Sequence, residues 1–375
     1  MNPLRQLADF GQAVWVDNLQ RAYITRGTLQ KFIEEDGVRG LTSNPTIFQK
    51  AVSGSEDYQD LFDAARGKGL SAGDVYEQLA VRDVQGAADI LRPVFDALKG
   101  RDGFASLEVS PRLANQMQGT LEEARRLWAT LARPNVMVKV PATEAGVTAF
   151  EQLTAEGLNI NVTLLFSQER YRQIAHAYMT GLERLASKGG DLGKVASVAS
   201  FFVSRIDVMV DQEVEKKLKA GATAEQRKAL EALSGKVAIA NAKLAYRIYQ
   251  ELFTSQRWKA LAAKGARPQR VLWASTGTKS PKLRDVLYIE ELIGPDTINT
   301  MPPATIDAFR DHGRVRTSLV EDVAGAQATL RALEAQGISL KSITDRLTVD
   351  GVKLFEDSFD QLLNAVGQKL ASSSG

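Results

Sequence analysis

Three side chains suited to carbonyl chemistry stand in short apolar runs, where charge is costly. Lys139 sits in NVMVKVPA (135–142), Glu108 in FASLEV (104–109) and Asp17 at the end of QAVWVD (12–17). Burial disfavours the charged form of an amine, so a lysine desolvated by an apolar strand keeps a neutral, nucleophilic fraction. Such an amine adds to a ketone, and loss of water gives a protonated imine, an electron sink for making or breaking the adjacent carbon–carbon bond. Dehydration needs a proton donor and cleavage needs a base on a hydroxyl, two tasks that two carboxylates in different environments divide between them. Judged from its own strand alone, Lys139 reads equally as a rim residue whose head reaches water. Asp17 reads equally as a cap or turn residue.

Rival chemistries have fewer supports. The chain has no cysteine and only two histidines, His176 and His312, far apart in sequence. Thiol nucleophiles are absent, and neither a zinc cluster nor a Ser-His-Asp triad is supported. No metal is expected.

The elements that must position Lys139 recur with regularity. Runs rich in Val, Ile and Phe lie at 12–17, 38–44, 104–109, 135–142, 160–166, 194–205, 270–276 and 297–302. Longer segments with helical spacing separate them, for example Val147, Phe150 and Leu153 before Gly157. Strand alternating with helix predicts parallel strands joined by right-handed crossovers. The count of eight favours an α/β fold of the (β/α)8 TIM-barrel type over an open doubly wound sheet, and no dinucleotide or P-loop glycine pattern follows the first strand.

In a barrel, alternate strand residues point inward. If Val136, Val138 and Val140 face the helices, then Met137, Lys139 and Pro141 face the interior. The same parity turns Glu108 inward with Ser106 and Ser110. It turns Asn161 and Thr163 inward against Val162, Leu164 and Phe166. Thr42 and Asn44 fall together on one side, and Ser200 and Phe202 opposite Phe201 and Val203. So many polar groups would make a poor core, because each unpaired buried one costs roughly 1–3 kcal/mol. Function explains them better than packing does, although Asn44-Pro45 also reads as a simple turn.

Hydrophobic residues make up 44% and charged residues 25% of the 375, with net charge +2 and no basic arm, so neither a disordered chain nor a nucleic-acid binder is indicated. No apolar stretch reaches membrane length and no secretory leader is evident, which predicts a cytoplasmic protein without membrane partners. A single barrel domain over 1–369 is expected, with one long charged helical insertion at about 207–261 that carries a Gly-Ala turn around 220–222. A C-terminal helix at about 348–369 should pack near the barrel mouth through Val352, Leu354, Phe355 and Phe359. Residues 370–375 should form a flexible tail.

Taken together, GLTSNPTIFQKA, NVMVKVPATEAG, GLNINVTLLFS and SVASFFVSRID, supported by VWVDNLQR, LEVSPRLA and VLWASTGTKS, resemble the transaldolase family from about residue 8 to about 365. The resemblance implies a cofactor-free (β/α)-barrel enzyme of the pentose phosphate pathway. Such an enzyme transfers a dihydroxyacetone unit from sedoheptulose 7-phosphate or fructose 6-phosphate to an aldose phosphate. It assigns the Schiff base to Lys139, the acid/base on the C4 hydroxyl to Asp17, and water-mediated proton transfer in imine formation to Glu108, with Thr163 holding that water. Asn44 and Asn161 match the asparagines that bind hydroxyls of the transferred fragment, and Thr42, Ser200 and Phe202 line the pocket.

Arg205 matches the phosphate-binding arginine. Shorter members carry a serine and an arginine two residues apart after the seventh strand; here Ser275 is followed at that spacing by Gly277, and Lys279 stands two further on. Lys279 is therefore expected to supply the second cation as a point charge. The nearest rival activity is the superfamily's fructose 6-phosphate aldolase-type lyase; those relatives have a water-orienting tyrosine where Phe202 stands. A non-catalytic carbohydrate-binding or scaffold barrel is the rival from another class. Monomer and homodimer are both left open.

Overall fold

The computed structural model describes residues 2–372, apart from the side chain of Ser372. Eight strands form a closed parallel barrel in chain order: β1 Gln12–Asp17, β2 Val38–Thr42, β3 Phe104–Glu108, β4 Val136–Pro141, β5 Ile160–Leu165, β6 Ser197–Phe202, β7 Arg270–Ala274 and β8 Thr297–Met301. Strand β8 closes on β1, pairing Trp15 with Thr300 and Val16 with Met301. Every run anticipated from the sequence forms a strand, trimmed at its ends where the chain turns into the next helix.

The β-branched outer faces drive this arrangement. Val136, Val138 and Val140 are fully buried between β4 and the flanking helices Met117–Leu131 and Glu144–Ala155. The latter helix starts immediately after β4, where the Thr143 side chain accepts from the Gly146 amide. Gly146 must be glycine, since a Cβ there would lie 1.8 Å from the Pro141 carbonyl oxygen. Inside the barrel, Gly40 of β2 makes room for the Trp15 indole, which a Cβ would approach to 2.3 Å.

Register brings the inward polar residues together. Lys139 pairs with Glu108 on one side and Asn161 on the other, Pro141 with Thr163, and Asp17 with Thr42. Register shifts at two places, between Val14 and Val16 against β2 and within β5. Leu164 has φ +59° and the β5–β6 register shifts between Val162 and Leu165, so Leu165, not Leu164, pairs outward opposite Phe201. The Leu164 side chain instead lies against Gly351 of the C-terminal helix.

Two further expectations are corrected. The segment at about 207–261 has the turn expected around 220–222 but is broken at two further places as well. It contains Ser204–Lys219, Ala224–Glu231, Val237–Leu252 and Gln256–Ala262, interrupted at Gly221 and Gly235, both with positive φ. Val237–Leu252 is mostly buried, packing against helices Val323–Ala335, Gln168–Ser187 and Ser204–Lys219, while most charges of the segment stay at exposed or half-buried positions. The C-terminal helix is longer than expected, Leu340–Ser372. It lies on helices Pro45–Ser53 and Ala72–Ala97 through Val352, Phe355 and Phe359, all nearly inaccessible, while Leu354 points outward and is 45% exposed. Residues 352, 355 and 359 share one helical stripe and 354 falls off it. Of the tail expected at 370–375, residues 370–372 continue the helix and the rest lie outside the described residues.

Candidate functional site

The C-terminal mouth of the barrel holds a cavity lined by Asp17, Thr42, Asn44, Lys139, Thr163, Ser200, Phe202, Arg205, Ser275 and Lys279. Glu108 and Asn161, the other two residues singled out from the sequence, flank Lys139 on its neighbouring strands.

Lys139 is 4% exposed. Its ammonium donates to the Ser43 carbonyl at 2.9 Å and lies 3.5 Å from Glu108 Oε2. That Glu108 oxygen has no hydrogen-bond partner, and neither does the buried Thr163 hydroxyl. Two orphaned polar atoms beside a buried amine are unusual outside functional sites, because buried polar groups are nearly always paired. Burial pushes the Glu108 carboxyl up, opposed chiefly by Lys139. Burial likewise raises Asp17, opposed first by Lys139, then by the Thr42 hydroxyl, Arg205 and Lys279. Thr42 donates to Asp17 at 2.7 Å and shares a 2.7 Å contact with Thr300, which fixes the carboxylate's direction.

Below the amine, Asn161 is fully buried. Its amide donates to Ser106 and its oxygen accepts from Ser200 at 2.7 Å. Asn44 caps helix Pro45–Ser53 by accepting from the Ile47 amide, with Pro45 at the first helical position. The turn reading of Asn44 is thus met, and the same residue lines the cavity.

At the cavity's other end, the Arg205 guanidinium sits over the Phe202 ring at 5.1 Å. Desolvation lowers both Arg205 and Lys279, and Arg205 depresses Lys279 further. Two partly desolvated cations facing one cavity make a place for an anion. Ser275 adopts φ +55° and its hydroxyl lies 3.0 Å from that of Ser204. Strain of this kind in a non-glycine residue collects at functional sites.

Sequence reasoning passed over Ser43, whose backbone holds the lysine, and Thr300, which fixes Thr42; it turned Ser106 inward but did not place it beside Asn161. Thr300 was within reach, since it occupies an inward position of β8; a backbone carbonyl leaves no trace in residue identity. Phe355, from the C-terminal helix, closes one side of the cavity. Among the described residues no group of three or more His, Cys, Asp or Glu side chains is arranged to hold a metal, and no helix is long and apolar enough to cross a membrane.

The family pattern described as Transaldolase/Fructose-6-phosphate aldolase matches residues 14–366. The chain belongs to this family. It is 44% identical over 373 residues to "Transaldolase 2" of Nostoc sp., covering 99% of this chain and 98% of that one. It is 47% identical over 370 residues to "Transaldolase" of Acidothermus cellulolyticus, covering 98% and 97%. A third relative, "Transaldolase" of Thermobifida fusca, is 46% identical over 372 residues, covering 99% of each chain. Members of the family at this similarity thus align with the cavity-bearing barrel and with the C-terminal helix that covers it.

Proposed function

We propose that this protein is a transaldolase acting in the cytoplasmic pentose phosphate pathway. It reversibly transfers a dihydroxyacetone unit from sedoheptulose 7-phosphate or fructose 6-phosphate to glyceraldehyde 3-phosphate or erythrose 4-phosphate. The observation that carries the reading is the buried Lys139 amine with Glu108 at 3.5 Å and an enclosed carboxylate, Asp17, across the same cavity.

In this reading the Lys139 amine attacks the donor's C2 carbonyl. Glu108, acting through a water held with Thr163, protonates the carbinolamine hydroxyl, which leaves as water as the iminium forms. Asp17 takes the C4 hydroxyl proton, the C3–C4 bond breaks, and its electrons enter the iminium to give an enamine on Lys139. Asn44 and Asn161 hold the fragment's hydroxyls. Arg205 and Lys279, with Ser275, hold the phosphate. Phe202 has no hydroxyl to direct water at the enamine, which favours transfer to a second sugar over release. The reading takes 1–369 as one barrel unit.

Acceptor dependence tests it. Fructose 6-phosphate consumption should need erythrose 4-phosphate and yield sedoheptulose 7-phosphate; rapid dihydroxyacetone release without acceptor would point to the aldolase instead.

A further inference from the structure

Glu108 also borders a second cavity, on the far side of the barrel wall from the substrate cavity. The two share no lining residue. Asn44 and Phe355 face the first, while their neighbours Pro45 and Phe359 face the second. Glu108, on the second cavity, lies 3.5 Å from Lys139, on the first.

The second cavity has a mixed lining, in which a series of polar groups runs outward from Glu108 between apolar walls that include Leu107, Leu127 and Phe359. Glu108 is 7% exposed. Beyond it lie Tyr76, whose ring is edge-on to Phe48 and Phe359, and Glu123, which accepts from the Ser110 amide at 2.9 Å. Burial raises Glu123, as it does Glu108. The outer end carries the Glu77–Arg126 ion pair, with side chains 32% and 51% exposed. Its rim includes Gly73, in the first turn of helix Ala72–Ala97.

Imine chemistry releases one water and later consumes one. Carbinolamine plus the Glu108 proton gives iminium, glutamate and one water. The proton returns to Glu108 on hydrolysis, so the acid–base pair balances within itself and only water has to cross. A ketose phosphate reaching from Lys139 to Arg205 fills the mouth at that moment, beneath Phe355.

We propose that the Tyr76–Glu123 cavity is the water passage of the imine step, delivering and removing water at Glu108 while the sugar phosphate occupies the barrel mouth. This rests on the transaldolase reading. Glu123 and Tyr76 are positioning residues here, ordering water rather than touching substrate.

The test uses the full-length Asp17→Asn protein, which on the proposed mechanism should form the imine without cleaving the donor, and fructose 6-phosphate labelled with oxygen-18 at C2. Label should wash into bulk water faster than in buffer alone. A Cβ at Gly73 meets only Ser71 Oγ, at 3.6 Å, so Gly73→Phe fills the passage without disturbing the helix, and Gly73→Ala leaves it open. With Gly73→Phe added, washout should fall toward the uncatalysed rate, while the adduct yield after prolonged borohydride treatment stays the same. Gly73→Leu serves if the phenylalanine variant melts early. Undiminished washout in the plugged variants, or adduct without catalysed washout in the unplugged protein, would overturn the passage. Absence of any adduct would instead sink the imine reading, and the passage with it.

Discussion

Two of the buried acid–base pairs stand at opposite ends of the barrel, and they are built to opposite rules. At the floor, Arg270 grips Asp102 with two hydrogen bonds of 2.9 and 3.1 Å, donates also to the Arg101 carbonyl, and leaves Asp102 to accept from the Trp15 indole. At the mouth, Lys139 meets Glu108 at one point, 3.5 Å away, and Glu108 Oε2 stays unpaired. Side-chain exposure is nearly the same, 7% and 2% at the floor against 5% and 4% at the mouth. Burial therefore does not separate structure from chemistry here; hydrogen-bond saturation does. A saturated pair stabilises because any loss leaves a bare charge. An unsaturated pair keeps a lone pair and a proton free to move.

The sharpest break of this comparison is Lys139→Ala. It should cut kcat by ~10⁴-fold or more without lowering the melting temperature, because Glu108, already pushed up by burial, takes a proton instead of standing as a bare charge. Steady-state kinetics beside calorimetry checks both halves. At the floor the pattern should invert. Asp102→Ala strands the Arg270 charge and should cost about 3–5 kcal/mol in urea unfolding, while the folded fraction keeps its kcat. Replacing both partners, Arg270→Met with Asp102→Leu, should restore most of that stability but not all, since the Trp15 indole loses its acceptor.

Less drastic is the phosphate end. Lys279→Met should raise KM for fructose 6-phosphate about tenfold, ~1.4 kcal/mol, with kcat nearly kept. Unchanged KM would remove Lys279 from phosphate binding.

Asp207 sharpens the rule at the smallest scale, since it is saturated by hydrogen bonds yet has no cation. It accepts from the Ala238 amide and the Tyr288 hydroxyl, both at 2.8 Å, and burial raises its pKa to about 6. Its folded value exceeds the unfolded one, so its stabilisation is complete at acid pH and is lost as pH climbs through 6. Asp207→Asn should therefore gain on the parent protein by ~1–2 kcal/mol between pH 5 and 7, measured as the difference between their urea-unfolding free energies.

The mouth was far more legible in the sequence than the floor. Lys139, Glu108 and Asn161 each interrupt an apolar strand at an inward position, so parity alone located them, and the barrel's hydrogen-bond register then placed them side by side. Arg270 also interrupts a strand, but at its first residue, where a charge ordinarily reaches water, and its partner Asp102 lies just outside β3; nothing local joins them. Leu164 hid for another reason. A leucine with positive φ has no compositional mark, and it broke the two-residue period on which the outward assignment of β5 relied. In the charged segment after β6 the Gly-Ala turn around 220–222 was legible, whereas the breaks at 232–236 and 253–255 were not, because helical spacing resumes after each. Leu354 failed because apolar character was counted where helical angle decides.

The central claim is that the unsaturated pair carries the covalent step through Lys139. Incubation with fructose 6-phosphate and borohydride, followed by peptide mass mapping, tests it most directly. The account predicts one reduced adduct, on the peptide containing Lys139, that is absent from Lys139→Ala. An active protein that yields no adduct there, or carries it on another lysine, would contradict it.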